Sequence, residues 1–135
     1  MIKTETTVRV RYYETDQMGI THHANYIKYF EVGRSEFMRA IGFPYSKMEE
    51  EGCMSPIMSI QIRYVRPTRY DDTLTIKTEV RELPTPTNYA MFYQNIYNEK
   101  GKLVAGGSVK LGFINAKTRK RELAPSQLIE AFKQP

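Results

Sequence analysis

One segment with apolar residues at helical spacing, residues 24–41, most constrains what this chain can fold into. Its apolar positions recur at intervals of three and four residues, and they are Tyr26, Tyr29, Phe30, Gly33, Phe37 and Ile41, with Ile27, Val32 and Met38 beside them. So wide an apolar surface predicts a helix that is buried on several sides. Gly42 and Pro44 end it, because Gly favours a C-cap and the residue before Pro avoids the helical region.

Alternating apolar and polar residues before and after this helix predict five strands in an antiparallel sheet. They lie at residues 8–13, 58–64, 74–80, 89–97 and 103–113. Turns are expected at 71–72, at 84–86 and at 98–102. Gly106 and Gly107 indicate a bulge or a close backbone approach, and short helices are expected at 45–51 and after Pro125. A sheet that curls around one apolar helix belongs to the α+β class.

The bulk composition is typical of one globular domain, residues 1–135. The net charge of +5 and the pI of about 9.3 favour anionic partners. No nucleic-acid-binding motif is present, and no apolar run reaches the roughly 18 residues that a membrane span needs. The first residues lack the apolar core of a signal peptide, so we expect a soluble cytoplasmic protein.

Residues 12–26 contain the chemistry-bearing motif. Asp16 lies in a short loop with Gly19, between a predicted strand and the start of the helix. A helix start offers backbone N–H groups without internal acceptors, and these groups and the helix dipole stabilise a developing negative charge. A carboxylate beside such donors fits acyl transfer or hydrolysis. The structural alternative is an ordinary loop Asp that accepts backbone N–H groups.

Metal and thiol chemistry find little support in the sequence. The single cysteine, Cys53, has no activating basic neighbour and is expected to pack in the core. His22 and His23 are adjacent and cannot easily chelate one ion from the same side, and no third ligand follows at a suitable spacing. The sequence therefore predicts no metal site.

The motif resembles the signature of a known enzyme family, the hotdog-fold acyl-CoA thioesterases. The similarity is to the branch around 4-hydroxybenzoyl-CoA thioesterase and the Tol–Pal-associated acyl-CoA thioesterases. The residues that carry it are Tyr13-Glu14-Thr15-Asp16-Gln17-Met18-Gly19-Ile20, His23-Ala24-Asn25-Tyr26, Phe30-Glu31 and Arg34, followed by Tyr64-Val65-Arg66-Pro67 and Asp72-Thr73-Leu74. This similarity extends over nearly the whole chain, to about Asn115.

The resemblance implies a hotdog fold, in which a five-stranded antiparallel sheet wraps around one long central helix. It implies homodimers that pair their sheets edge to edge, often associated into homotetramers, with active sites at the dimer interface and no cofactor. Asp16 takes the position of the catalytic aspartate, the backbone N–H of His23 that of the oxyanion donor, and Gly19 keeps the loop tight. The chain departs from the family at Glu14, where an aspartate is common, and at Thr21 and His22, where apolar residues are usual.

The remaining candidates have structural or binding roles. Asn25 is expected to cap the helix through its side-chain oxygen, and Glu31 could pair with Arg34. Tyr26, which is also a core candidate, and Arg66 are the expected substrate-binding residues beside Gly19. For the phosphates of CoA, Arg66 and Arg69 compete with the basic cluster, which we define as residues 117–121; the alternative for that cluster is a solvated surface.

The sequence therefore predicts a thioester hydrolase that acts on acyl-CoA. Asp16 is its general base or its nucleophile, and the two roles cannot be separated by sequence. One alternative is an acyl-carrier-protein thioesterase, because a basic surface suits an acidic carrier protein. The other is a non-catalytic acyl-CoA-binding protein of the same fold, although a binder would not require a carboxylate at position 16.

Overall fold

The computed structural model describes residues 2–83 and 89–133. The strands are β1 (Lys3–Arg9), β2 (Cys53–Met54), β3 (Ile57–Tyr64), β4 (Thr73–Glu79), β5 (Tyr89–Tyr97), β6 (Leu103–Gly112) and β7 (Ile114–Asn115). The helices are α1 (Asn25–Ala40), α2 (Tyr45–Glu50) and α3 (Ser126–Phe132). The loop expected at 84–86 lies outside the described residues.

Five strands form one antiparallel sheet in the order β1-β4-β5-β6-β3, which confirms the predicted sheet. The two-residue strands β2 and β7 pair separately, and the sequence analysis missed them. The inner face of the large sheet is apolar on alternate residues, as in Ala90, Phe92 and Ile96 of β5, all buried. These residues form the core together with one face of α1.

Three α-helices of 16, 6 and 7 residues are present in the described part, and the two short ones lie where they were expected, at 45–51 and after Pro125. α1 packs on β1, β4 and β5. Its burial is one-sided, because Ile27 and Val32 remain 38% and 37% exposed. The expectation of a helix buried on several sides is therefore wrong for a single chain.

Close packing of α1 on the sheet depends on Gly33. A Cβ at this position would lie 2.7 Å from the Ile76 side chain and 2.8 Å from Nε2 of Gln94, so no larger residue fits without movement. Gly107 has the same role between β6 and β3, where a Cβ would meet the carbonyl oxygen of Gln61. The expected close backbone approach is thus confirmed at Gly107, whereas Gly106 faces the side chain of Asn95; the register shifts lie elsewhere, at 57/59 and 96/97.

The first strand ends earlier than its alternation predicts. β1 stops at Arg9, and Tyr12 and Tyr13 lie in a 3-10 turn (Tyr12–Glu14) with exposures of 78% and 74%. Beyond Arg9, the Val10 N–H still donates to the carbonyl of Asp72 (2.9 Å), and the 3-10 turn follows two residues later.

Aromatic residues also lie on the outer face of the sheet. Tyr89, Tyr93 and Tyr97 are half-buried there. A cation covers each ring: Lys110, Arg81 and Lys77 lie 4.1, 3.9 and 5.0 Å from the respective ring centroids. The strand alternation was predicted correctly, but the inner positions belong to the even-numbered residues of β5.

Candidate active site

The Asp16 loop closes on itself through backbone hydrogen bonds. The Asp16 N–H donates to the carbonyl of Ile20 (2.9 Å), and the Gly19 N–H donates to that of Asp16 (3.0 Å). Gly19 has φ +76°, a left-handed conformation that Gly adopts without strain, and no atom lies within 4 Å of where its Cβ would be. The loop is therefore tight, and its backbone at Gly19 is open to a ligand.

The Asp16 carboxylate is half-buried, and only one of its oxygens is engaged. The Met18 N–H donates to Oδ1 (2.9 Å), which fixes the orientation of the group. No donor among residues 2–83 and 89–133 reaches Oδ2. An oriented carboxylate with one free oxygen can take a proton from water or attack a carbonyl carbon.

The two sides of the loop run antiparallel, which brings Glu14 beside the start of α1 and places Asp16 two residues further along the loop. Thr15 and Thr21 form a β-bridge, and the His22 N–H donates to the carbonyl of Glu14 (2.8 Å). His23 follows directly. Its ring stacks on that of His22 with 4.2 Å between centroids, and its carbonyl accepts the hydroxyl of Tyr64 (3.2 Å). In the described part of the chain the His23 N–H has no acceptor, so it remains available as a donor.

Glu14 anchors this arrangement and is not a second free carboxylate. It is 4% exposed, and Oε1 accepts both the Arg11 N–H and the Tyr29 hydroxyl, each at 2.8 Å. Burial, and then the hydrogen bond to Glu14, raise the pKa of Tyr29 far above its ordinary value, so the hydroxyl stays a donor. Sequence analysis had noted Glu14 only as a departure from the family.

Asn25 contributes to the same anchor in a way that the sequence analysis did not predict. It is the first residue of α1, and Ala24 occupies the N-cap without a side-chain hydrogen bond. Its Nδ2 donates to the carbonyls of Glu14 (2.9 Å) and His22 (3.3 Å). The prediction of an oxygen cap is therefore wrong; the amide ties the helix start to the loop.

A buried chain of hydroxyls fixes the other side of the loop. Thr21 Oγ1 lies 2.7 Å from Thr68 Oγ1, which lies 2.7 Å from the Tyr26 hydroxyl. The Thr21 N–H donates to the Thr68 carbonyl (2.8 Å). Burial raises the pKa of Tyr26, and the hydrogen bond from Thr68 opposes this effect. Tyr26 is 4% exposed and touches the site through its ring, which lies edge-on to Tyr64 at 5.5 Å.

Arg66 lies at the same end of the sheet as this site. It follows β3 and Tyr64, is exposed, and its Nη1 donates to the carbonyl of Leu103 (2.6 Å). The basic cluster lies at the other end of the sheet, where Arg119 Nη1 is 3.7 Å from Met54 Sδ of β2. Within one chain, Arg66 thus lies between Tyr64 and Thr68, which contact His23 and Thr21, and residues 117–121 lie at the other end of the sheet.

Several residues of the site escaped the sequence analysis. Tyr64, Thr68 and Tyr29 reach the loop from 41, 47 and 15 residues away along the chain. Their apolar or hydroxyl character alone gives no signal of these contacts. The expected pair of Glu31 with Arg34 is wrong: neither residue forms an ion pair within the described residues.

The protein family is shown by comparison with known proteins. The model of the Thioesterase-like superfamily matches residues 10–132, and the chain belongs to this hotdog family and is a thioester hydrolase. "Putative acyl-CoA thioesterase YneP" of Bacillus subtilis is 37% identical over 93% of this chain and 86% of that protein. "Acyl-CoA thioester hydrolase YbgC" of Escherichia coli O6:H1 is 28% identical over 94% and 93%.

Solved structures agree with the fold. The DHNA-CoA thioesterase from Staphylococcus aureus superposes with a TM-score of 0.90 at 32% identity, over 98% of this chain and 89% of that one.

None of the helices in residues 2–83 and 89–133 has the length and apolar character to cross a membrane.

Proposed function

We propose that this chain is a cytoplasmic acyl-CoA thioesterase that hydrolyses its substrate to a free acid and CoA. The observation that carries the proposal concerns two groups of one loop segment that find no partner among residues 2–83 and 89–133: Oδ2 of Asp16 receives no donor, and the His23 N–H has no acceptor. The names of the relatives from B. subtilis and E. coli support CoA as the thiol. The whole chain, residues 1–135, acts as one hotdog domain.

The reaction uses Asp16 in one of two ways. As a general base, Asp16 takes a proton from water, whose oxygen attacks the thioester carbon. The His23 N–H stabilises the resulting oxyanion, and collapse expels the CoA thiolate, which recovers the proton. As a nucleophile, Asp16 attacks the carbon itself and expels the CoA thiolate, and water then hydrolyses the mixed anhydride, which frees Asp16 and releases the acid and the proton that the thiolate takes up. Both routes consume one water and yield acid and thiol.

Three further residues receive substrate-binding roles in this proposal. Gly19 leaves the loop backbone accessible, because it has no side chain and no neighbour where one would point. Tyr26 forms a wall beneath Tyr64 at 5.5 Å. Arg66 offers an exposed cation at the rim, which suits a CoA phosphate.

The proposed assembly is a homodimer through β3, with pairs of dimers forming a homotetramer. β3 lies at one edge of the sheet and exposes Ile57, Met58 and Tyr64 by 45%, 40% and 45%. An exposed apolar edge strand favours pairing with another strand. The opposite edge, β1, is charged, as its Lys3–Glu79 and Glu5–Lys77 pairs show. In the assembly α1 is the long central helix of each hotdog.

Thiol release from a panel of acyl-CoAs, from short aliphatic through benzoyl to palmitoyl, tests the substrate class. Hydrolysis of at least one member is expected, and no release from any member would contradict the proposal. An acyl-carrier-protein panel tests the alternative that the net charge of +5 favours, since such carriers are acidic. Release only from the carrier protein would establish that alternative.

A matched pair of variants tests Arg66. R66A should raise KM for acyl-CoA by about two- to fivefold, the range of an exposed ion pair, and leave hydrolysis of a phosphate-free pantetheine thioester unchanged. K3A, which removes an exposed cation on the opposite edge strand β1, serves as the control. An equal effect of both variants would argue against a specific phosphate contact at Arg66.

A further inference from the structure

A cavity separate from the Asp16 loop lies between α1, α2 and the segment that contains β2 and the start of β3. Its volume is about 430 Å³. Its apolar wall includes Met48, Met54, Ile57 and Leu111. Its polar lining includes Arg34, Tyr45 and Ser55, with Glu31 and Glu49 also present.

Arg34 is the unusual member of this lining. The residue is 2% exposed, and its Nη1 donates to Oε1 of Gln94 (3.2 Å). Its guanidinium also lies near the Tyr45 hydroxyl, where it opposes the rise that burial causes in the pKa of that group. Its buried Nε has no acceptor, and no carboxylate pairs with it, among residues 2–83 and 89–133. A buried cation is costly unless it is paired, so this side chain is poised for an anion.

The free edge of the guanidinium indicates which anion fits. Nε and Nη2 form a planar fork that matches the two oxygens of a carboxylate. The apolar wall suits a hydrocarbon body attached to that group. Glu31 and Glu49 are exposed and would repel a second negative charge at the opening, which disfavours polyanions.

We propose that this cavity binds an apolar carboxylic acid, with its carboxylate on Arg34 and its hydrocarbon body against Met48, Met54 and Ile57. The inference goes beyond the proposed reaction, because none of these residues takes part in the Asp16 loop. The ligand has two possible sources of the same chemistry: a free carboxylic acid, or an acyl group that ends in a carboxylate. If two chains pair antiparallel through β3, the Ile57 end of β3 in one chain lies beside the C-terminal end of β3 in its partner.

Binding of matched acids and amides to the whole protein tests the site. Octanoate and benzoate should raise the melting temperature and bind at least about tenfold more tightly than octanamide and benzamide, by calorimetric titration. The R34M variant should lose this preference. R39M removes an exposed arginine of the same helix and should retain it.

Two further variants keep the outcome decisive. R34K retains the positive charge but not the fork, so its preference for acids over amides should be intermediate. If R34M does not fold, the comparison of R34K with wild type tests whether Arg34 binds the carboxylate. D16N should bind acids normally even if it hydrolyses nothing, which separates this site from the catalytic proposal. Equal binding of acids and amides by wild type, or an undiminished preference in R34M, would overturn the inference.

Hydrolysis of two matched substrates identifies the source of the carboxylate. Wild type is compared on glutaryl-CoA and on its methyl ester. A preference for the free carboxylate that disappears in R34M assigns the site to the acyl group of the substrate. Acid binding without such a preference assigns it to a free acid, and either result upholds the site.

Discussion

Glu14 shows how a carboxylate in a catalytic-looking motif can be committed to structure. Its side chain accepts from the Arg11 N–H and the Tyr29 hydroxyl, and its carbonyl accepts from the His22 N–H and the Asn25 amide. These bonds hold the loop against the start of α1. Asp16 and Glu14 are carboxylates two residues apart in the same motif. Only their hydrogen-bond partners in the structure distinguish the structural carboxylate from the candidate catalytic one.

Replacing Glu14 by Gln should destabilise the protein and lower activity. The amide retains one acceptor but loses the charge that strengthens two buried hydrogen bonds, so we expect a loss of about 1–3 kcal/mol in unfolding free energy. kcat should fall because the loop and the helix start separate. Y29F, which removes one donor, should cost about 1 kcal/mol. Urea unfolding measures both, and E14Q as stable and active as wild type would refute the anchoring role.

The buried thiol of Cys53 makes the free energy of unfolding decline at alkaline pH. Burial, and then the nearby Glu122, raise the pKa of its thiol from 9.0 to about 11. As pH rises past 9, the unfolded chain releases this proton before the folded one, so the unfolded state is favoured. The contribution is thus complete below pH 9 and declines towards pH 11.

The C53A variant isolates this effect. Titration of the buried tyrosines lowers the free energy of unfolding of wild type and of C53A alike, so this effect cancels when the two proteins are compared. Urea unfolding at pH 8 and pH 10.5 should show a larger decline for wild type than for C53A. Parallel declines would mean that the thiol titrates normally in the folded protein.

At the scale of elements, the sequence predicted most of the helices and strands whose apolar residues recur regularly. α1, β4, β5 and β6 lie within a residue or two of the expected ranges, because their burial alternates or repeats regularly and turn residues bound them. The 3-10 turn at Tyr12 was missed because its residues continue the strand alternation. β2 and β7 were missed because two residues are too few to show a period.

The contact of α1 with the sheet gives a prediction for Gly33. Ala is the better helix former by about 1 kcal/mol, yet its Cβ would lie 2.7 Å from the Thr78 hydroxyl and the Ile76 methyl. Overpacking typically costs about 1–3 kcal/mol, so G33A should be net destabilised. The exposed control K28A should stay within about 0.5 kcal/mol of wild type in urea unfolding. A G33A variant more stable than wild type would contradict this prediction, because it would show that α1 moves away from the sheet without a loss of unfolding free energy.

At the scale of the molecule, the two edges of the sheet differ in kind. β1 presents charged residues, and β3 presents apolar ones. Sequence analysis located Asp16 and His23 in one loop system from their motif alone. The sequence could not place Arg34 in a cavity or Thr68 beside Thr21, because those positions depend on contacts between distant segments.

A charge on the β3 edge should separate the proposed dimer. M58E places a carboxylate on a strand that would have to be desolvated in the pair, so we expect a monomer by light scattering and a loss of most activity. T7E places the same charge on the β1 edge and should leave the assembly unchanged. A dimeric M58E, or a wild type that is monomeric at micromolar concentration, would contradict pairing through β3.

The central claim is that the free oxygen of Asp16 carries the chemistry, and one variant pair tests it most directly. D16N keeps the size of the side chain but not its basicity, and D71N removes an exposed carboxylate whose left-handed backbone (φ +73°) Asn tolerates. With folding verified, D16N should lower kcat on the best acyl-CoA by at least about a hundredfold, and D71N should not. Equal rates for D16N and wild type would contradict the account.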